Sequence, residues 1–152
     1  MKKFFYLSIA TGLGSGLVPF APGTFGSILG VLVTYFLFHL PLEFIISFFV
    51  VFFIISWWCT KKAGLHYEEV DCKKIVCDEI LGQIIALAPL YYFGLFPQWL
   101  ILGFAFFRAF DILKPFPISW CDKQKTAFFV IADDLLAGLF AALILYCVIV
   151  LF

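Results

Sequence analysis

The chain has 152 residues, 64% of them hydrophobic, with 22 Phe, and its ten acidic residues are balanced by ten Lys and Arg. So much apolar side chain cannot be hidden inside one soluble domain of this length, so composition predicts an integral membrane protein, a single domain over residues 1–152. Zero net charge removes any electrostatic case for nucleic acid, and five cysteines, odd in number and irregular in spacing, fit neither a zinc ribbon nor a disulfide framework.

Residues 4–23 are apolar but interrupted by Gly12, Gly14, Gly16, Pro19, Pro22 and Gly23. A plain spanning helix does not carry that many breakers. The segment is predicted as a short amphipathic or re-entrant helix followed by a tight loop, tolerated at membrane depth only where protein or a wet cavity surrounds it. Lys2-Lys3 precedes an apolar stretch, but the Gly- and Pro-rich continuation offers no small-residue cleavage site, so no cleavable signal is read. Hydropathy then predicts spans at Thr24–Leu40, Leu42–Cys59, Ile80–Phe96 with a kink at Pro89, Trp99–Leu113 and Leu135–Phe152. The expected fold is an all-α membrane protein, a compact bundle of about five hydrophobic helices preceded by the Gly/Pro-rich segment. If the spans alternate, all ten Lys and Arg fall on or near one side, and the turns His39–Pro41 and Pro97–Gln98 carry none. The positive-inside rule makes that basic side cytoplasmic.

Two adjacent acidic pairs, Asp78-Glu79 and Asp133-Asp134, each open a long apolar run on that same side. A charged carboxylate at the centre of a membrane helix costs roughly 2.5–3.5 kcal/mol on insertion scales, and neighbouring carboxylates repel one another. A bound divalent cation is the simplest relief. Asp78-Glu79 alone also reads as a helix cap with a first-turn acid. Asp133-Asp134 follows six apolar or small residues, Ala127 to Ala132, and is not an ordinary solvated cap. Gly138, one turn after Asp134, would let another helix approach closely.

Arg108 and Asp111 share a helix face at i and i+3, with Lys114 nearby. They form either a self-neutralising ion pair or a phosphate clamp, with Arg as a planar fork and Lys as a point charge. The Gly12–Gly16 stretch is no dinucleotide fingerprint, because no βαβ unit surrounds it. Thr24 and Ser27 lie at a predicted helix start, a natural anion site, with close helix packing as the ordinary alternative. Taken jointly, four carboxylates would repel an anionic substrate, and one or two Mg²⁺ ions would reverse that field. The residues thus favour a metal-dependent enzyme acting on a phospholipid phosphate. Other phosphatase chemistries lack their parts: there is no Cys-x5-Arg loop and no Asp-x-Asp motif, and His39 and His66 do not supply a two-histidine site.

Four ordered segments, Ala10–Ser27, Asp71–Gly82, Phe107–Ile118 and Asp133–Gly138, resemble the phosphatidylglycerophosphatase A family over nearly the whole chain. The resemblance implies a Mg²⁺-dependent, multi-pass enzyme of the bacterial inner membrane, its active site facing the cytoplasm, that hydrolyses phosphatidylglycerophosphate to phosphatidylglycerol and phosphate. By motif, Asp78, Glu79, Asp133 and Asp134 are implied metal ligands. Arg108, Asp111 and Lys114 are implied catalytic residues, with Asp111 a further ligand or a general base. Gly23, Thr24 and Ser27 are expected to seat the lipid headgroup. A metal-activated water and an aspartyl-phosphate intermediate are both open routes. The chain departs from the family pattern at Lys125–Ala132, where a Gly-rich stretch is usual, and at Lys73, where Gly is frequent. The competing expectation is a small transporter or ion-coupled carrier, which would place acids at mid-membrane on facing helices and show inverted repeats. A third is a non-catalytic scaffold whose charges only pair.

Overall fold

The computed structural model describes residues 2–151, and the regular structure among them is entirely helical. Helix α1 (Lys2–Ala10) ends in a 3₁₀ turn, Gly12–Leu17, where Leu13 and Gly14 adopt positive φ. The N-terminal breakers therefore shorten the helix as their positions predict. Helix α2 (Pro22–Leu37) begins on a proline, whose missing N–H is one that a first helical turn does not use.

Helix α2 ends three residues before the expected Leu40, and three larger differences from the hydropathy reading follow. Helix α3 (Leu42–Tyr67) runs past Cys59 by two turns. Lys61 and Lys62 end the apolar run but not the backbone ladder, which closes only where Glu68 turns left-handed and Glu69 N–H reaches the Gly64 carbonyl at 3.1 Å. The predicted span Ile80–Phe96 is instead two helices, α4 (Cys77–Ala86) and the single turn α5 (Leu90–Phe93). Pro89 can neither donate to Ile85 nor fit its ring against that turn, so the chain breaks rather than bends. The last helix, α8 (Ala127–Leu151), starts eight residues before the expected Leu135. Thr126 caps it, its carbonyl taking Val130 N–H at 2.9 Å and its hydroxyl Phe129 N–H at 3.4 Å. Asp133-Asp134 thus sits at the end of the second helical turn, not at the opening of the helix. The expected terminus at Phe152 lies outside the described residues.

Helix α6 (Pro97–Leu113) matches its expected span. Its last turn closes through Lys114, left-handed at φ 43°, whose N–H reaches Phe110 O at 2.8 Å. Pro115 prevents continuation, and a short helix α7 (Ile118–Asp122) leads to α8.

The short helix α4 is the centre of the bundle, with nearly all its residues buried, and it packs on α2, α6 and most extensively α8. Gly82 and Gly138 make the α4–α8 approach possible. A Cβ on Gly82 would lie 2.6 Å from the Asp134 carbonyl oxygen, and one on Gly138 would meet the Gly82 carbonyl. The close approach expected of Gly138 is therefore present, with α4 as the partner. Helices α3 and α8 are long and apolar enough to cross a membrane. The outer face of α3 exposes Phe44, Ile46, Val50, Val51, Ile54 and Trp57. Such a surface is a liability in water and the natural one in lipid. Alternation of the helices gathers the N-terminus of α2, the start of α4 and the end of α6 at one end. At the other end Phe38 meets Tyr91 and Phe93 meets Tyr146, each pair with ring centroids 5.8 Å apart.

Candidate active site

The charged end of the bundle encloses a pocket of about 350 Å³. Four elements supply its charges: the α3–α4 loop (Asp71, Lys73), α4 (Asp78, Glu79), the end of α6 (Arg108, Asp111, Lys114) and α8 (Asp133, Asp134). Six carboxylates against three cations leave a formal charge of −3 when all are ionised. Asp78, Asp133 and Asp134 line this pocket but are only 5–6% exposed, so protein atoms cover most of each side chain.

Glu79 lies against the first turns of α2. A Cβ on Gly23 would collide with its Oε1, and one on Gly26 would stand 2.7 Å from its Oε2. Glycine at both places makes room for a carboxylate, whereas the sequence reading has Gly23 seat the lipid headgroup. Gly23 lines the pocket. Ser27 is fully buried and donates to the Gly23 carbonyl at 2.9 Å. Thr24 is half-buried and is not among the lining residues.

Arg108 joins these elements. Its Nη1 stands 2.5 Å from Asp111, 3.8 Å from Glu79 and 3.4 Å from Ser27 Oγ. The helical spacing predicted the Asp111 contact, whereas Glu79 and Ser27 come from other helices. Lys114 plays the corresponding part opposite: its Nζ lies 2.5 Å from Asp122 and 2.8 Å from Asp133. Burial works against the Lys114 charge, but hydrogen bonds to Asp122 and Asp133 outweigh it and raise its pKa above the ordinary lysine value. The same hydrogen bond to Lys114 lowers Asp122 below the usual carboxylate range. Asp122 escaped the sequence reading. It lies eight residues from Lys114 across a proline turn, and no periodicity links them. Asp71, also unforeseen, pairs with Lys125 at 2.7 Å on the surface.

Asp78 and Asp133 are each fixed by the next backbone amide, Glu79 N–H at 3.0 Å and Asp134 N–H at 3.1 Å. Glu79 Oε2 is buried without a hydrogen-bond partner. Among the described residues, no three His, Cys, Asp or Glu side chains stand in a ready-made metal shell. The fit to Mg²⁺ is therefore one of donor type and charge: oxygen ligands only, an excess of negative charge, and one orphaned carboxylate oxygen. All five cysteines are free, and His39 lies in the turn at the far end.

A family model described as Phosphatidylglycerophosphatase A matches residues 8–149. A Haemophilus influenzae protein named Phosphatidylglycerophosphatase A is 36% identical over 142 residues, covering 92% of this chain and 86% of that one. An Escherichia coli K12 protein of the same name is 35% identical over 144 residues, covering 91% and 80%. A Bacteroides thetaiotaomicron protein named "Putative phosphatidylinositol-3-phosphatase" is 33% identical over 154 residues, covering 95% of each. No solved structure shows a significant match.

Proposed function

The chain belongs to the phosphatidylglycerophosphatase A family, and we propose that its reaction, hydrolysis of phosphatidylglycerophosphate to phosphatidylglycerol and phosphate, is Mg²⁺-dependent and takes place in the charged pocket. The observation that carries this is the excess of carboxylate over cation in a pocket whose substrate is itself an anion. Without a cation the two would repel. Asp78, Glu79, Asp133 and Asp134 would hold the metal. When bound, Mg²⁺ would polarise a phosphoryl oxygen and acidify water.

The protein's own groups do the rest. Among the described residues Arg108 makes its hydrogen bonds and ion pairs through Nη1, so Nη2 and Nε retain donors for the terminal phosphate. Lys114 has three donors and uses two. Both cations are held on the pocket wall by carboxylates and pay little reorganisation when charge develops on the phosphoryl oxygens. Ser27 and Asp111 orient Arg108. Asp111 serves either as a further ligand or as the base that takes a proton from the attacking water. Gly23 leaves the headgroup entrance open beside Glu79.

The pocket would lie on the cytoplasmic face of the bacterial inner membrane, because the helix ends around it carry Lys and Arg residues. About five helices would be embedded in the membrane, with α1 and its following turn re-entrant or lying in the interface. The test is phosphate release by purified protein in detergent, with and without Mg²⁺. Release unaffected by chelation would remove the metal from the proposal, and no release from phosphatidylglycerophosphate would remove the substrate. Parallel assay of phosphatidylinositol 3-phosphate covers the chemistry named for the Bacteroides relative.

A further inference from the structure

Three cations line the pocket, and two are matched by carboxylates: Arg108 by Asp111 and Glu79, Lys114 by Asp122 and Asp133. Asp71 on the rim is matched by Lys125. Lys73 lines the same pocket, is exposed, and makes no ion pair among the described residues. It does not dangle from a loose loop. Ile75 N–H closes a tight turn onto the Cys72 carbonyl at 2.8 Å, with Lys73 and Lys74 as its central residues. Next to that turn, Val76 N–H donates to Ala10 O at 2.8 Å, and Lys74 turns aside to lie over the Tyr67 ring, 5.2 Å from its centroid.

We infer that Lys73 binds the phosphodiester of the lipid substrate and selects lipids that carry a diester phosphate as well as the reacting monoester. This rests on the lipid-phosphatase reading above. Deeper in the pocket, Arg108 and Lys114, with the cation that the carboxylates would hold, are suited to the terminal phosphate. The diester joins the headgroup to the glycerol backbone and must stay near the membrane surface, at the rim. A compact ammonium with three donors and no ion-pair partner among the described residues is the chemistry that a monoanionic diester requires there. Both lipids named among the relatives carry this pair of phosphates.

The test compares wild type with Lys73→Ala, Lys73→Arg and Lys74→Ala in neutral detergent micelles. For Lys73→Ala, KM for phosphatidylglycerophosphate and Ki for the product phosphatidylglycerol, which keeps only the diester, should both rise about fivefold, the scale of one exposed ionic contact. Ki for inorganic phosphate should rise much less. Lys73→Arg should restore both values, and Lys74→Ala should leave the selectivity unaltered. Equal rises in Ki for phosphatidylglycerol and phosphate would overturn the inference, as would unchanged values for the lipid. Calorimetric binding of a short-chain phosphatidylglycerol reads the Lys73 contact independently of turnover. Wild type that binds this lipid through Lys73 but releases no phosphate would refute the hydrolytic reading and leave the diester site standing.

Discussion

Gly138→Ala tests the contact that holds the two acidic pairs together. The added Cβ would stand 3.0 Å from the Gly82 carbonyl carbon and 3.2 Å from its Cα, inside the 3.4 Å at which ordinary contact begins, and closer still to the carbonyl oxygen. Every one of these atoms is backbone, so no side-chain rotation relieves the clash. Helices α4 and α8 must separate by a shift on the order of 1 Å, at a cost of about 1–3 kcal/mol for an overpacked interface. That shift moves Asp78 and Glu79 away from Asp133 and Asp134, and a 1 Å misplacement in a catalytic constellation lowers kcat by about 100-fold. The measurement is phosphate release from phosphatidylglycerophosphate alongside thermal unfolding in the same detergent. Leu139→Ala, one residue on and exposed, serves as the comparison and should leave kcat within about twofold. A Gly138→Ala enzyme with wild-type kcat and unfolding temperature would refute the packing argument.

Arg108→Lys should lose about 10- to 100-fold in kcat/KM, because a single ammonium cannot reach Glu79, Asp111 and Ser27 while also facing phosphate; Lys-level activity equal to wild type would refute this. Glu79→Gln and Asp134→Asn should each abolish the stabilisation of the protein by added Mg²⁺, read as a shift in unfolding temperature, and lower turnover by at least about 100-fold. A pH effect follows from the Asp122–Lys114 pair. Asp122 has a folded-state pKa below its unfolded value, so its contribution to stability is present above the unfolded pKa of about 3.9 and is lost as pH falls through the folded value. The unfolding temperature of Asp122→Asn should therefore lie below wild type at neutral pH, with the difference closing under acid conditions. A difference independent of pH would exclude the ionic account.

Much of the candidate site was legible because it depends on local spacing. Arg108 and Asp111 meet since i and i+3 lie on one helix face, and that relation needs no tertiary fold. The acidic pairs stood out because charge is costly inside an apolar chain, whatever surrounds it. Gly138 announced a close approach because only a missing side chain permits one. Composition likewise determined an all-helical, lipid-compatible protein.

The tertiary structure decided which groups these signals were addressed to. Asp122 reaches Lys114 only because α7 folds the chain back after Pro115 and Pro117, and Glu79 fits between Gly23 and Gly26 only because α2 lies across α4. Hydropathy misplaced the start of α8 because Thr126 caps the helix through hydrogen bonds, to which an average of side-chain polarity is blind. It could not reveal that α4, only ten residues long, would be the centre. A ten-residue helix can occupy that position because the longer helices α2, α6 and α8 pack around it. Sequence thus determined the chemistry available to the site, and packing determined that both acidic pairs, Arg108 and Lys114 would share one pocket, since contacts between helices depend on three-dimensional placement that no one-dimensional spacing encodes.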